Sequence, residues 1–258
     1  MAGPALPIDL PAGSRIAVAG GCGGIGRILV SALLDRACEV AVVDMPPSLA
    51  AHPPPGDVIS IAADATSAAQ VEAAARVMQS HCNGLDGFVN LCGYAPPRVA
   101  IDAYDPDTWS AAIDGNLNAA FLLSRAFMPL LKAGTRPALV HAASSLAVKA
   151  APGYGPYAAA KAGILALTRT LAEENAPTVR VNAVAPSAVR TEFIAGGTGR
   201  AGGSGTPLLD LDAYGNALPL GRVAEADDVV GPILFLLGPG SAYMTGQVLH
   251  INGGLWQP

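Results

Sequence analysis

Arg15-Ile16-Ala17-Val18-Ala19-Gly20-Gly21-Cys22-Gly23-Gly24-Ile25-Gly26 is the stretch that decides the fold. Its first five residues form a short apolar run and read as a buried strand. Glycines follow at once, and then apolar residues at helical spacing: Ile25, Ile28, Leu29, Ala32 and Leu33. A strand that passes through glycines into a helix is the setting in which such glycines cradle a pyrophosphate. Glycine lets the backbone approach the phosphates closely, and the helix N-terminus offers N–H groups and a favourable dipole. Gly20, Cys22, Gly23, Gly24, Ile25 and Gly26 are therefore candidate cofactor contacts. A plain glycine-rich turn is the simpler alternative, but the placement between strand and helix favours binding.

The next apolar run, Glu39 to Val43, reads as a second strand and ends at Asp44, eighteen residues past Gly26. That is about where a ribose-binding carboxylate belongs. Such a group accepts hydrogen bonds from ribose hydroxyls and repels a 2′-phosphate, so NAD is expected rather than NADP. Arg15 and Arg27 are the cations that a 2′-phosphate would have to recruit. Pro46 to Gly56 reads as a proline-rich connection. Further strands are expected at 58–62, 87–91, 138–143, 179–184 and 248–251, with helices at 67–81, 106–131, 158–172 and 226–237. Strands alternating with helices predict an α/β fold, here one domain with a doubly wound parallel sheet of about seven strands. Ligands bind outside the carboxyl ends of such strands. Asp64, Asn90 and Ser144 fall on that edge with the glycine loop. Residues 192–219, which carry a glycine-rich run from 196 to 205, are expected to form a lid over the site.

Composition narrows the function. The chain has 258 residues, 51% of them hydrophobic, and this leaves ample material for one core. A formal charge of −5 and no dense Lys/Arg cluster argue against a nucleic-acid surface. The N-terminal residues lack the pattern of a signal peptide, and no apolar run reaches the roughly 18 residues of a membrane span. Cys22, Cys38, Cys82 and Cys92 are scattered without metal-ligand spacing. A cytoplasmic protein with reduced thiols and no metal is the expectation.

Chemistry enters with Tyr157-Ala158-Ala159-Ala160-Lys161, and with Ser144 thirteen residues before the tyrosine. Side chains at i and i+4 share a helix face. A phenol ionises near pH 10, and an ammonium one turn away is expected to lower that value. A hydroxyl such as that of Ser144 could hold the oxygen that the tyrosine protonates or deprotonates. Asn116 lies inside the long helix expected at 106–131, where asparagine is a poor residue unless it is put to a specific use, such as holding a water or bending the helix.

These motifs, in order, resemble the short-chain dehydrogenases/reductases over nearly the whole chain. The resemblance rests on Ala19 to Gly26, Asn90-Leu91-Cys92-Gly93, Asn116, Ser144 and Tyr157 to Lys161. It continues through Arg180 to Pro186, Thr245-Gly246-Gln247 and Asn252-Gly253-Gly254. It implies a Rossmann fold and a catalytic set of Asn116, Ser144, Tyr157 and Lys161. Tyr157 would be the acid/base and Ser144 the oxygen-holding residue, with Ser145 its rival. Lys161 would activate the tyrosine and bind the nicotinamide ribose, while Asn116 would hold a water. By the same resemblance Asp64 and Ala65 would flank adenine, and Asn90 would brace the central strands. Cys92 and Gly93 would lie by the cofactor, as would Pro186, with Val189 and Thr191 at its carboxamide. A homotetramer or dimer would form through helices at about 107–132 and 157–175.

Tyr94, Pro96, Leu146, Val148, Tyr154, Ser187 and the lid are the expected substrate wall, with Arg98, Arg190 and Arg200 its only cations. Ala19, Leu91, Cys92, Ser187 and Asn252 depart from the family pattern. The function implied is an NAD-dependent oxidoreductase that interconverts a secondary alcohol and a ketone. The alternatives are an NADP-dependent carbonyl reductase, a non-catalytic dinucleotide sensor or scaffold, and a lyase-like variant.

Overall fold

The computed structural model describes residues 9–197 and 209–257. Its seven strands are β1 (Arg15–Ala19), β2 (Glu39–Asp44), β3 (Ile59–Ala62), β4 (Gly87–Asn90), β5 (Ala138–Ala142), β6 (Arg180–Pro186) and β7 (Val248–Ile251). They form one sheet in the order β3-β2-β1-β4-β5-β6-β7. Every neighbouring pair is parallel. The strand order reverses between β1 and β4, which opens a crevice at their carboxyl ends. Ala19 pairs with Val43 and Asn90, so the glycine loop, Asp44 and the end of β4 meet at that crevice.

Alternation along β1 explains the two layers. Ile16 and Val18 face one apolar cluster, which holds Leu29 and Leu33 of α1 (Gly24–Leu34) and Val230 and Ile233 of a later helix, Ala226–Leu237. Ala17 and Ala19 face the other, with Val71 and Met78 of the helix Ala68–His81 and Leu123, Phe127 and Leu131 of the helix Ala119–Lys132. Successive strand residues point to opposite faces, and small alanines let the second helical layer sit close to the sheet. The rings of Phe88 and Phe127 stack there at 4.5 Å.

Three local features differ from the expected pattern. The connection after β2 contains a short helix, α2 (Pro46–Ala51). Its prolines sit in the first turn, where no backbone donor is needed. With α3 at Ala68–His81, the long helix expected from residue 106 is split in three: α4 (Pro106–Ile113), a π-helical turn (Asp114–Asn118) and α5 (Ala119–Lys132). β6 runs on through Pro186, which pairs with Ile251 at its end. The remaining helices are α6 (Gly155–Asn175), α7 (Leu211–Asn216) and α8 (Ala226–Leu237).

Candidate active site

A cavity of about 450 Å³ runs along the carboxyl ends of the strands, from the glycine loop to the start of α6. At one end, Gly23 precedes α1, and no side chain caps that helix end. The N–H groups of its first turn are left for a ligand. A Cβ on Gly26 would collide with the backbone of Gly20 and Gly21, so the loop can fold back on the helix only because residue 26 is glycine. Backbone bonds brace the start of the loop: Gly20 N–H donates to Val43 O at 2.9 Å, and Leu91 N–H donates to Ala19 O at 2.9 Å. Nothing in that brace requires a hydroxyl at Ala19.

Asp44 closes the same end. Its Oδ2 accepts from Cys22 N–H at 2.9 Å and its Oδ1 from Met45 N–H at 2.8 Å. Each carboxylate oxygen can accept a second bond, so the group remains able to receive ribose hydroxyls. Burial and the neighbouring Asp44 carboxylate push the Cys22 thiol up to about 12, which makes it an unreactive group. Asp64 does two things at once. It lines the cavity and accepts from the Thr66 N–H (2.9 Å) and hydroxyl (2.8 Å) in the turn before α3. Arg15 is at the far, amino-terminal end of β1 and pairs with Asp86 at 3.0 Å. Arg27 is occupied by Glu192 at 2.6 Å and by Cys22 O at 2.9 Å.

At the other end β5 delivers Ser144 and α6 delivers Tyr157 and Lys161, all three buried. The Ser144 hydroxyl lies next to the Tyr157 phenol and accepts from Leu146 N–H at 3.1 Å. Ser145 turns away, donating to Ala185 O at 3.4 Å. The Lys161 ammonium donates to Ala142 O at 2.9 Å and stands 5.6 Å from the centre of the Tyr157 ring. Burial pulls the lysine down to about 8 and raises the phenol, while the neighbouring Ser144 hydroxyl opposes that rise. The expected lowering of the tyrosine by its lysine is thus overruled by desolvation, which penalises whichever form is charged.

Asn116, Asn90 and Cys22 do not line the cavity; each stands one layer behind it. Asn116 is in the π-helical turn, a feature frequent at functional sites. Its Nδ2 donates to Ala112 O (2.9 Å) and to Tyr94 O (3.0 Å), which fixes the amide so that Oδ1 faces Gly93. Gly93, at φ +149°, is the gap through which Asn116 Oδ1 and Lys161 Nζ both reach the cavity side, since a Cβ there would meet both atoms. Asn116 Oδ1 and the Ser187 hydroxyl are buried polar atoms with no partner within the described residues. Such atoms call for a ligand group or water. Asn90 Oδ1 accepts from Cys92 N–H at 3.0 Å and shapes the turn after β4.

Other expected residues sort as follows. Ala65, Cys92, Gly93, Pro186, Val189 and Thr191 line the cavity, as do Tyr94, Leu146, Tyr154 and Ser187. Val148 is instead 41% exposed, and neither it nor Pro96 reaches the wall. Of the expected lid, 198–208, including Arg200, lies outside the described residues. The flanks take part, with Phe193, Ile194, Leu209 and Tyr214 on the wall. Arg190 is bound to Glu225 (3.2 Å) and Asp212 (3.8 Å), and is no longer a candidate.

Two features went unread in the sequence. Lys149 lines the cavity beside Arg98. Beneath the site, His141 on β5 is fully buried between Ser124 of α5 (Nε2 to Oγ, 3.0 Å) and Thr168 of α6 (Nδ1 to Oγ1, 3.0 Å). This network ties together the three elements that carry or adjoin Ser144, Asn116 and Lys161.

Known proteins agree with this architecture. A family model described as enoyl-(acyl carrier protein) reductase matches residues 20–256. An uncharacterized short-chain type dehydrogenase/reductase, y4vI of Sinorhizobium fredii, is 31% identical over 246 residues. The match covers 94% of this chain but 43% of that protein, so the chain spans less than half of that relative's length. A 2,3-dihydroxy-2,3-dihydro-p-cumate dehydrogenase of Pseudomonas putida is 32% identical over 260 residues, covering 97% of this chain and 96% of the relative. Among solved structures, a 3-oxoacyl-[acyl-carrier protein] reductase of Brucella melitensis with bound NAD superposes with a TM-score of 0.82 at 25% identity. It covers 96% of this chain and 92% of that one. The chain belongs to the short-chain dehydrogenase/reductase family of oxidoreductases.

Proposed function

We propose that the protein is an NAD-dependent oxidoreductase that interconverts a secondary alcohol and a ketone, with Tyr157 as general acid/base. The observation that carries this reading is the Ser144 hydroxyl next to the Tyr157 phenol, with the Lys161 ammonium 5.6 Å from its ring centre, in the cavity that also holds the glycine loop. When bound, the dinucleotide supplies or accepts the hydride. The chain's own residues do the rest. The uncapped N-terminus of α1 holds the pyrophosphate, and Asp44 receives the ribose hydroxyls. Ser144 holds the substrate oxygen at the phenol, and Tyr157 gives or takes its proton. Lys161 keeps positive charge beside the phenol and reaches the nicotinamide ribose. Asn116 Oδ1, open towards Gly93, positions a water behind the lysine.

NAD is favoured over NADP because the cations lining the cavity, Arg98, Lys149 and Lys161, are all remote from Asp44. The described flanks of the expected lid add Phe193, Ile194, Leu209 and Tyr214 to a wall of mostly apolar side chains, which suits a small or medium substrate with an apolar body. Association through the long helices leaves a place for Phe121 of α5, which is 48% exposed in the single chain.

Tyr157→Phe tests the acid/base role. Turnover should fall by at least about a hundredfold, while NADH titration by nicotinamide fluorescence stays near wild type. Wild-type turnover in that variant would remove Tyr157 from the mechanism. Asp44→Ala should relax the NADH-over-NADPH preference, and an unchanged ratio of the two affinities would remove Asp44 from cofactor selection.

A further inference from the structure

We propose that the substrate carries an oxyanionic group, a carboxylate in the simplest case, away from its reacting carbon, and that Arg98 and Lys149 bind it. This rests on the oxidoreductase reading and names the substrate class of the same site. The charges lining the cavity are segregated. Its carboxylates, Asp44, Asp64 and Glu192, belong to the dinucleotide half or to the Arg27 pair. The half beyond Tyr157 carries Arg98 and Lys149 and, among the described residues, no acid. Segment 198–208 contains neither Asp nor Glu, so it cannot supply one.

Both cations are held in place, and neither has a carboxylate partner among the described residues. Arg98 lies over the Tyr154 ring at 5.0 Å and donates from Nη2 to Pro152 O at 3.4 Å. Its loop is stapled to the next by Val99 N–H donating to Gly153 O at 3.3 Å. A guanidinium has five donors, and this one has a single carbonyl as partner. A guanidinium stacked on a ring is pre-organised and weakly hydrated, and suits bidentate recognition of a carboxylate. Tyr154 directly precedes α6, so the guanidinium stands within one helical turn of Tyr157 along the chain. Lys149, also on the wall, donates from Nζ to Leu255 O at 3.0 Å and keeps two N–H donors. The other arginines bordering the cavity region behave differently: Arg27 and Arg190 are each neutralised by a carboxylate within 3.2 Å. Two cations that line one cavity and have no carboxylate partner among the described residues mark the place of an anion.

The test uses methyl ketones that end in a carboxylate about two to six carbons from the carbonyl, each paired with its methyl ester. Reduction is followed with NADH and with NADPH. At the best chain length kcat/KM should favour the carboxylate over its ester by about tenfold, the scale of a charge-assisted hydrogen bond. That ratio should shrink as salt is added, and should fall towards one in Arg98→Ala and Lys149→Ala. Arg76→Ala, at an exposed arginine on α3, should leave it unchanged. Preference for the ester at every length, or an undiminished ratio in both variants, overturns the proposal. A calorimetric arm separates this from failure of the oxidoreductase reading. If no ketone is turned over with either nucleotide, that reading falls. Tighter binding of the carboxylates than of the esters, lost in the two variants, would still support the anion site, and equal binding would refute it.

Discussion

His141 makes the stability of this protein depend on pH in a way that one substitution should remove. The imidazole is fully buried, and burial, reinforced by the nearby Lys161 charge, pulls its pKa down to about 4 from an ordinary 6.5. In the unfolded chain the group takes up its proton as pH falls through 6.5, while the folded chain resists until about 4. The unfolded state therefore binds more protons in that window, and stability falls with acidification. The contribution is fully present above pH 6.5. The difference of about 2.5 units corresponds to about 3 kcal/mol lost by pH 4. His141→Leu removes the titrating group and keeps most of the volume. The Ser124 and Thr168 hydroxyls retain their bonds to Ala120 O (2.7 Å) and Ile164 O (2.8 Å), so neither is stranded. A neutral imidazole and the two hydroxyls carry three protons for these contacts, so the leucine variant loses one hydrogen bond net and should be less stable by about 1 kcal/mol at pH 7.5. The order should reverse below about pH 5.5. Urea unfolding followed by circular dichroism at pH 7.5 and 4.5 reads both values. If wild type and variant differ by the same amount at the two pH values, His141 is not buried neutral and the reasoning fails.

Two further outcomes follow from the same physics. Lys161→Met should abolish turnover yet raise Tm at pH 7, because burial depresses the lysine to about 8 and its charge is carried at a cost of about 3 kcal/mol. Loss of the bond to Ala142 O offsets about 1 kcal/mol of that gain. The advantage should vanish as pH rises from 8 towards 10.5, and a lower Tm for the variant at pH 7 would contradict it. Gly26→Ala places a Cβ against the Gly20 carbonyl. It should weaken NADH binding at least about tenfold, while far-ultraviolet dichroism stays native; unchanged NADH affinity would show that the loop tolerates the shift.

What could be read from the sequence was what repeats locally. The apolar run of β1, the glycines and the 3.6-residue spacing of α1 lie within a single window, and they placed the crevice before any tertiary contact was known. The same holds for Tyr157 and Lys161, whose separation of four fixes them on one helix face. The choice between Ser144 and Ser145 was harder, because neighbouring residues leaving a strand point to opposite sides. The approach of Ser144 to the phenol, and the bond from Ser145 to Ala185 O, separate the two only once α6 and β6 are in place. The π-helical turn at Asp114–Asn118 leaves no signature in apolar periodicity, since one wide turn shifts the pattern by a single residue. His141 reads as an ordinary strand residue because its partners are 17 and 27 positions away.

Charge was the least legible property, and it is where the structure adds most. Arg98 and Arg190 look equivalent in the sequence, and Lys149 looks like any solvated lysine. Pairing decides among them: Arg190 finds Glu225, while among the described residues Arg98 and Lys149 find carbonyl oxygens and no carboxylate. The dinucleotide end can do without such cations because the backbone N–H groups and dipole of α1 serve its phosphates, and a carboxylate at Asp44 serves its ribose. Under the proposed preference for NAD, positive charge near the adenosine would weaken discrimination against a 2′-phosphate. Cations at the opposite end of the same cavity carry no such penalty. They stand where only the second ligand reaches, so the charge they present selects the substrate without touching the choice of cofactor.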